Sequence, residues 1–233
     1  MRKLLLNNLL NKQSTISSAK VETEIFDALD QKVTGNHKGH NFISHLTDQI
    51  NEPKDLWLAY EVGGNSLSKM LFDVKGEFHN GERIYFVNHQ DFYYDVKNNK
   101  MLLRQFLLKL MLAFDLLQSQ GIVHADIKSD NILVSYNKDE ITNVKLIDFG
   151  SAFLFERANW ITMSTPEYLA PEILDYLDGK GKTKYTDGAV GLFKTMHVWS
   201  YDMWSIGAML LEIISGFPLW LSLKSRMKSL KGK

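Results

Sequence analysis

The chain has 233 residues, enough for one sizeable domain or two small lobes around a single core. Its 27 Lys+Arg balance its 27 Asp+Glu, so the zero formal charge excludes a whole-chain attraction to nucleic acid or an anionic membrane. Cysteine is absent, which excludes disulfides, zinc–thiolate sites and thiol catalysis.

In chain order, Arg2, Lys3 and the apolar Leu4 to Leu6 open like a signal peptide, but Asn7, Asn8, Asn11 and Lys12 break the run. Residues 19–30 predict a helix with Val21, Ile25 and Leu29 on one face. After a polar loop from Gln31 to His40, Phe42 to Ile50 and Leu56 to Val62 read as strands, parted by the turn signal Asn51 to Asp55. Gly63-Gly64 ends that pattern, and Ser66 to Leu71 suits a short helix.

Residues 74–100 are aromatic and polar without a clear period, so they read as an insertion of undefined structure. Met101 to Gln120 predicts a helix with Leu103, Phe106, Leu107, Leu110, Phe114 and Leu117 as its apolar stripe and Gly121 as its stop. The longest apolar run within it, Phe106 to Leu117, is interrupted by Lys109 and Asp115 and is too short to span a bilayer. The expectation is a soluble intracellular protein, cytoplasmic by default. Short apolar runs follow at Ile122-Val123, Ile132 to Val134 and Val144 to Ile147, and Tyr201 to Ser215 is apolar nearly all round, which predicts a buried helix.

The chemistry concentrates in Ile122 to Val134, where polar residues lie between two hydrophobic flanks able to anchor a loop. Asp126, Lys128 and Asn131 bring a carboxylate, an ammonium and an amide together within six residues. That set can accept a hydroxyl proton, neutralise a transferring phosphoryl group and ligate a hard cation through oxygen. A second acid, Asp148, ends a strand and is followed by Phe149 and the flexible Gly150.

These residues resemble the catalytic loop and the metal-binding tripeptide of eukaryotic protein kinases. Two further motifs follow in that family's order: Ser164 to Glu172 (STPEYLAPE) is similar to the end of its activation segment. Ser200 to Gly207 (SYDMWSIG) is similar to the buried helix whose acid, here Asp202, braces the catalytic loop. Lys128 two residues after Asp126, with Thr165 before Pro166, resembles the Ser/Thr branch. The resemblance implies Asp126 as catalytic base, Lys128 beside the γ-phosphate, Thr165 bridging the two, and Asn131 with Asp148 as magnesium ligands.

Leu56 to Gly64 resembles the strand and hinge that bind adenine, with the Glu61 carbonyl and Gly63 amide at the matching positions and Tyr60 behind them. Lys3 and Glu22 resemble the ATP-positioning ion pair, with Glu24 the competing acid on the same helix. The implied fold is α+β and two-lobed: residues 1–62 form a remnant small-lobe sheet and hinge, and 63–233 a mainly helical large lobe. Insertions fall near 74–100 and 175–198. The implied function is transfer of the ATP γ-phosphate, with Mg2+, to a Ser or Thr hydroxyl of a protein substrate, and neither nucleic acid nor membrane is an expected partner. The alternatives are an inactive scaffold of the same fold or a fragment of a longer kinase.

The sequence also departs from the family. No Gly-rich phosphate-covering loop precedes Lys3, and the family's last helices are missing, so the domain is expected to be incomplete at both ends. Gly179 to Thr183 imitates a phosphate-binding loop, but the required earlier glycine falls at Tyr176. Ala125 replaces the arginine that in many kinases binds an activation-loop phosphate, here on Thr162 or Ser164, and Glu172 has no evident arginine partner.

Overall fold

The computed structural model describes residues 2–4, 9–32, 37–51, 56–79, 82–159, 161, 164–179 and 188–221. The side chain of Lys3, Thr162, most of the Gly179–Thr183 loop and the basic segment from Lys224 onward lie outside what is described.

Strand β1 (Arg2–Leu4) precedes helix α1 (Leu9–Lys32). The helix starts well before the residue 19 expected, because no Gly or Pro between Leu9 and Ala19 interrupts its propagation. Its inward face is Ala19, Glu22, Ile25, Phe26 and Leu29, one side of a 3.6-residue period, while Glu24 faces solvent. The strand expected from Phe42 begins only at Leu46. In its place Lys38–Phe42 form a single 3-10 turn, capped by His37 Nδ1, which accepts from Gly39 N at 3.0 Å. Gly39 packs so closely that a Cβ there would collide with the Leu112 carbonyl.

β2 (Leu46–Asn51) and β3 (Leu56–Tyr60) complete an antiparallel sheet of order β1-β3-β2, with Lys3 opposite Trp57. The chain then crosses Gly63-Gly64 into β4 (Asn65–Ser66) and the short α2 (Leu67–Leu71). The described residues of 74–100 form regular elements: β5 (Phe72–His79) and β6 (Glu82–His89) pair antiparallel as a hairpin, and α3 (Asp91–Asn98) follows. The alternation was hidden because both faces of the hairpin carry apolar groups. Tyr85 and Val87 are half-buried on one face, and Ile84 and Phe86 are exposed on the other.

α4 (Lys100–Ser119) starts at Asn99, whose side chain accepts from Met101 N at 3.0 Å, a cap worth about 1 kcal/mol. It ends at Gly121, where φ is +67°. Leu102, Phe106, Leu110, Ala113, Leu116 and Leu117 are buried on its inner face, so the stripe is rotated slightly from the expected one. β7 (Ile122–Val123), β8 (Ile132–Tyr136), β9 (Ile141–Leu146) and β10 (Phe153–Leu154) frame the catalytic segment. β7 pairs with β10, and β8 lies between β4 and β9.

The rest is helical: α5 (Pro171–Leu177), α6 (Ala189–Phe193) and α7 (Ser200–Ser215). α7 differs from expectation. Tyr201, Asp202, Ser205, Ile206, Met209, Glu212 and Ile213 are buried, but Trp204 (51%), Leu211 (54%) and Ile214 (67%) are exposed on the other side. Glu172 is likewise exposed, so it carries no cost of an unpaired buried charge. A small sheet with α1 and a helix-rich remainder make the fold the α+β arrangement expected. Among the described residues no helix is long and apolar enough to cross a membrane.

Candidate active site

β7 is only two residues long, and its buried Ile122 and Val123 deliver the chain into the loop that begins at His124. That loop has few backbone partners of its own, so it is held by a side chain from α7. Asp202 Oδ2 accepts from His124 N at 2.8 Å, and Oδ1 accepts from Ala125 N at 2.9 Å. Burial pushes the Asp202 carboxyl up, against the opposing pull of His124 and the two amides. The grip holds Ala125 at φ +64°, a left-handed conformation that costs an L-residue about 1 kcal/mol.

His124 is fully buried, and its Nε2 lies 3.1 Å from the Ile147 carbonyl. A carbonyl can only accept, so Nε2 carries the proton and Nδ1 is left to accept Asp126 N at 3.3 Å. The imidazole thus spans the catalytic loop and the strand end before Asp148.

Asp126, Lys128 and Thr165 close a hydrogen-bonded triangle. Lys128 Nζ donates to Asp126 Oδ2 at 2.7 Å and to Thr165 Oγ1 at 2.9 Å, and Thr165 Oγ1 donates to Asp126 Oδ1 at 2.7 Å. Burial pushes the Asp126 carboxyl up, but the hydrogen bonds from Lys128 and Thr165 and the Lys128 charge outweigh it, leaving it below the usual aspartate value. Asn131 Nδ2 donates to the Asp126 carbonyl at 2.8 Å and to Oδ2 at 3.0 Å, which turns its Oδ1 away from Asp126. Ser164 Oγ donates to the Ala125 carbonyl at 2.7 Å, fixing the segment that delivers Thr165.

Asn131 and Asp148 sit on adjacent segments, because Ile147 N donates to the Asn131 carbonyl at 3.0 Å. Asp148 is left-handed at φ 67°, ψ 70°, and the next residue, Phe149, is fully buried. Phe149 contacts Phe26 at a ring separation of 5.2 Å and His124 at 4.8 Å, and its amide donates to Glu22 Oε1 at 3.3 Å. Of the two acids weighed on α1, Glu22 is therefore the one turned inward to the Asp148 turn. An amide oxygen and a carboxylate are hard donors that suit magnesium with its water and phosphate ligands. Among the described residues, no group of three or more His, Cys, Asp or Glu forms a competing metal site.

At the Gly63 end, a Cβ would fall 2.7 Å from Leu133 Cδ1 and 3.2 Å from Lys145 Cβ, so the backbone runs against the strands that carry the site. The Glu61 carboxylate is held by Lys145 Nζ at 2.7 Å and His45 N at 3.0 Å. Sequence reasoning missed Lys145 and Glu212, two buried charged residues. Their signal was available: each is a lone charge inside an otherwise apolar buried run, a placement that requires a partner.

A protein-family profile described as "Protein kinase domain" matches residues 9–231. The dual specificity tyrosine-phosphorylation-regulated kinase 2 of Drosophila melanogaster is 27% identical over 210 residues, 90% of this chain and 23% of that protein. The Citron Rho-interacting kinase of Homo sapiens is 35% identical over 127 residues, 53% of this chain and 6% of that protein. The cAMP-dependent protein kinase catalytic subunit of Dictyostelium discoideum is 27% identical over 181 residues, 77% of this chain and 21% of that protein. The chain thus spans less than a quarter of the length of each of these three relatives.

Proposed function

We propose, since this chain belongs to the protein kinase family, that it transfers the γ-phosphoryl group of ATP to a Ser or Thr hydroxyl of a protein. The observation that carries the reading is the Asp126–Lys128–Thr165 triangle, which fixes a carboxylate, an ammonium and a hydroxyl at mutual distances of 2.7–2.9 Å. Asp126, held ionised by its neighbours, orients the attacking hydroxyl and accepts its proton. Lys128 neutralises charge on the transferring group. Thr165 keeps these two residues in register and narrows the site to a small aliphatic alcohol.

Asn131 and Asp148 would hold magnesium, which when bound would neutralise charge on the nucleotide's phosphates. Adenine is assigned to the Glu61 carbonyl and Gly63 amide, and the ATP-positioning pair to Lys3 and Glu22. Residues 1–62 make up the small lobe and hinge and 63–233 the large lobe, with 74–100 and 175–198 as insertions. ATP as the donor favours an intracellular, cytoplasmic site of action, and the acceptor macromolecule is a protein.

The test is phosphate transfer from magnesium-ATP to a generic basic protein by the full chain. Asp126→Ala and Asp148→Ala are each expected to lower transfer at least about a hundredfold. Asp148→Ala should also weaken nucleotide binding more than Asp126→Ala does. Transfer that survives either change undiminished refutes the assignment.

A further inference from the structure

Asp202 grips only the first half of the catalytic loop. The second half, which carries Lys128 and Asn131, meets α7 at a different residue. Ser129 Oγ donates to Glu212 Oε2 at 2.9 Å, and both residues are buried, at 2% and 0% exposure. Ten residues separate Asp202 from Glu212, about 15 Å along the axis, so one rigid helix reaches both ends of the loop.

Glu212 holds more than the loop. Its Oε1 accepts from Leu219 N at 2.8 Å, and its carboxylate faces the side chain of Tyr168. Tyr168 lies three residues after Thr165, and its carbonyl accepts from Ser205 Oγ at 2.7 Å, one α7 turn after Asp202. α7 therefore joins the backbone carrying Lys128 and Asn131, through Glu212, to the backbone carrying Thr165, through Ser205. A buried carboxylate needs several donors, and here one of them comes from the segment that must be aligned.

We propose that the Ser129–Glu212 hydrogen bond is a positioning contact for phosphoryl transfer: it sets the Lys128–Asn131 segment against the Thr165 segment, and neither residue touches the substrate. The proposal rests on the kinase reading above. Ser129 has no other role in that reading, because its side chain points into α7 while Lys128 and Asn131 turn toward Asp126. Asp130, between them, is engaged separately through Ser68 Oγ at 2.9 Å.

The experiment uses the full chain with Ser129→Ala, Glu212→Gln and the double variant. Glu212→Gln keeps an oxygen for Leu219 N but turns an NH2 toward Ser129 Oγ, so that contact loses its charge and reverses its direction. Each single change should lower kcat about tenfold and leave KM for ATP within about twofold, since only the alignment of the transferring groups is disturbed. The double variant should be no slower than Glu212→Gln alone. Amide exchange should rise in residues 126–131 and 166–168 of Ser129→Ala, with α4 unchanged.

A kcat for Ser129→Ala within about twofold of wild type overturns the proposal, as do additive losses in the double variant. Should Glu212→Gln fail to fold, kcat and exchange of Ser129→Ala still decide. If the wild-type chain transfers no phosphate, the kinase reading fails by itself. Exchange in Ser129→Ala then judges the tether alone, and unchanged protection of both segments sinks it.

Discussion

Lys145 Nζ lies 2.7 Å from Glu61 Oε1, joining the end of β3 to the strand that leads three residues later to Asp148. The pair is asymmetric, with the Lys145 side chain 8% exposed and the Glu61 side chain 33%. Burial pushes the Glu61 carboxyl up, but the Lys145 bond, the His45 amide and the Lys145 charge outweigh it, so it lies below 4.5.

Lys145→Met removes the cation and keeps most of the packing, leaving Glu61 with the His45 amide. The pair is intermediate between surface and buried, so the expected loss is about 2 kcal/mol, read from the urea midpoint. A depressed carboxyl pKa gives stability that is present above the unfolded-state value and lost as pH falls through the folded one. Wild-type stability should therefore fall more steeply than that of Lys145→Met from about pH 5 down to pH 3. Parallel curves would show that the pair contributes nothing to folding.

Thr165 both donates to Asp126 and accepts from Lys128, so Thr165→Ala opens the triangle at two edges. A kcat loss of about ten- to a hundredfold is expected, with Thr165→Ser restoring most of it because the hydroxyl returns. The acid limb of the rate profile should also move up in Thr165→Ala, since one of the bonds that lowers the Asp126 pKa is gone. A serine variant as slow as the alanine variant would assign the role to the methyl group.

The site was far more legible than its supports. Asp126, Lys128, Asn131 and Asp148 declare themselves because the chemistry demands those groups at short spacing along one loop. α4 was readable because its polar face is clear, so Leu110 and Leu117 could only point inward. α7 has apolar residues on every side, and no period could tell the buried Ile206 from the exposed Ile214. The β5–β6 hairpin was hidden for the same reason. The pairing of Ser129 with Glu212 spans 83 residues and becomes visible only once the loop and α7 are brought together.

Asp202→Ala would leave the His124 and Ala125 amides buried without their acceptor. At about 1–3 kcal/mol for each unsatisfied group, the loss is a large part of a typical net stability of about 5–15 kcal/mol. Calorimetry should show a much lower Tm, and Asp202→Asn, which can satisfy one amide, should fall between. Equal melting of all three proteins would mean that the loop finds other partners.

The outer face of α7 makes the opposite prediction. Ile214→Lys and Leu211→Glu replace side chains that are 67% and 54% exposed, so each should change stability by no more than about 0.5 kcal/mol. Destabilisation of 2 kcal/mol or more, on the order of a core substitution, would show that this face is covered.

With Asp202 and Glu212 both on the buried side of α7, the loop that carries Asp126 is fastened at two points to one helix of the core. Its melting is therefore thermodynamically welded to that of the large lobe, and the loop and helix behave as one cooperative unit. Catalytic groups on such a unit have no private low-temperature transition. Heat should inactivate the protein and unwind α7 together, and mild denaturant should not produce a folded population with a disordered catalytic loop.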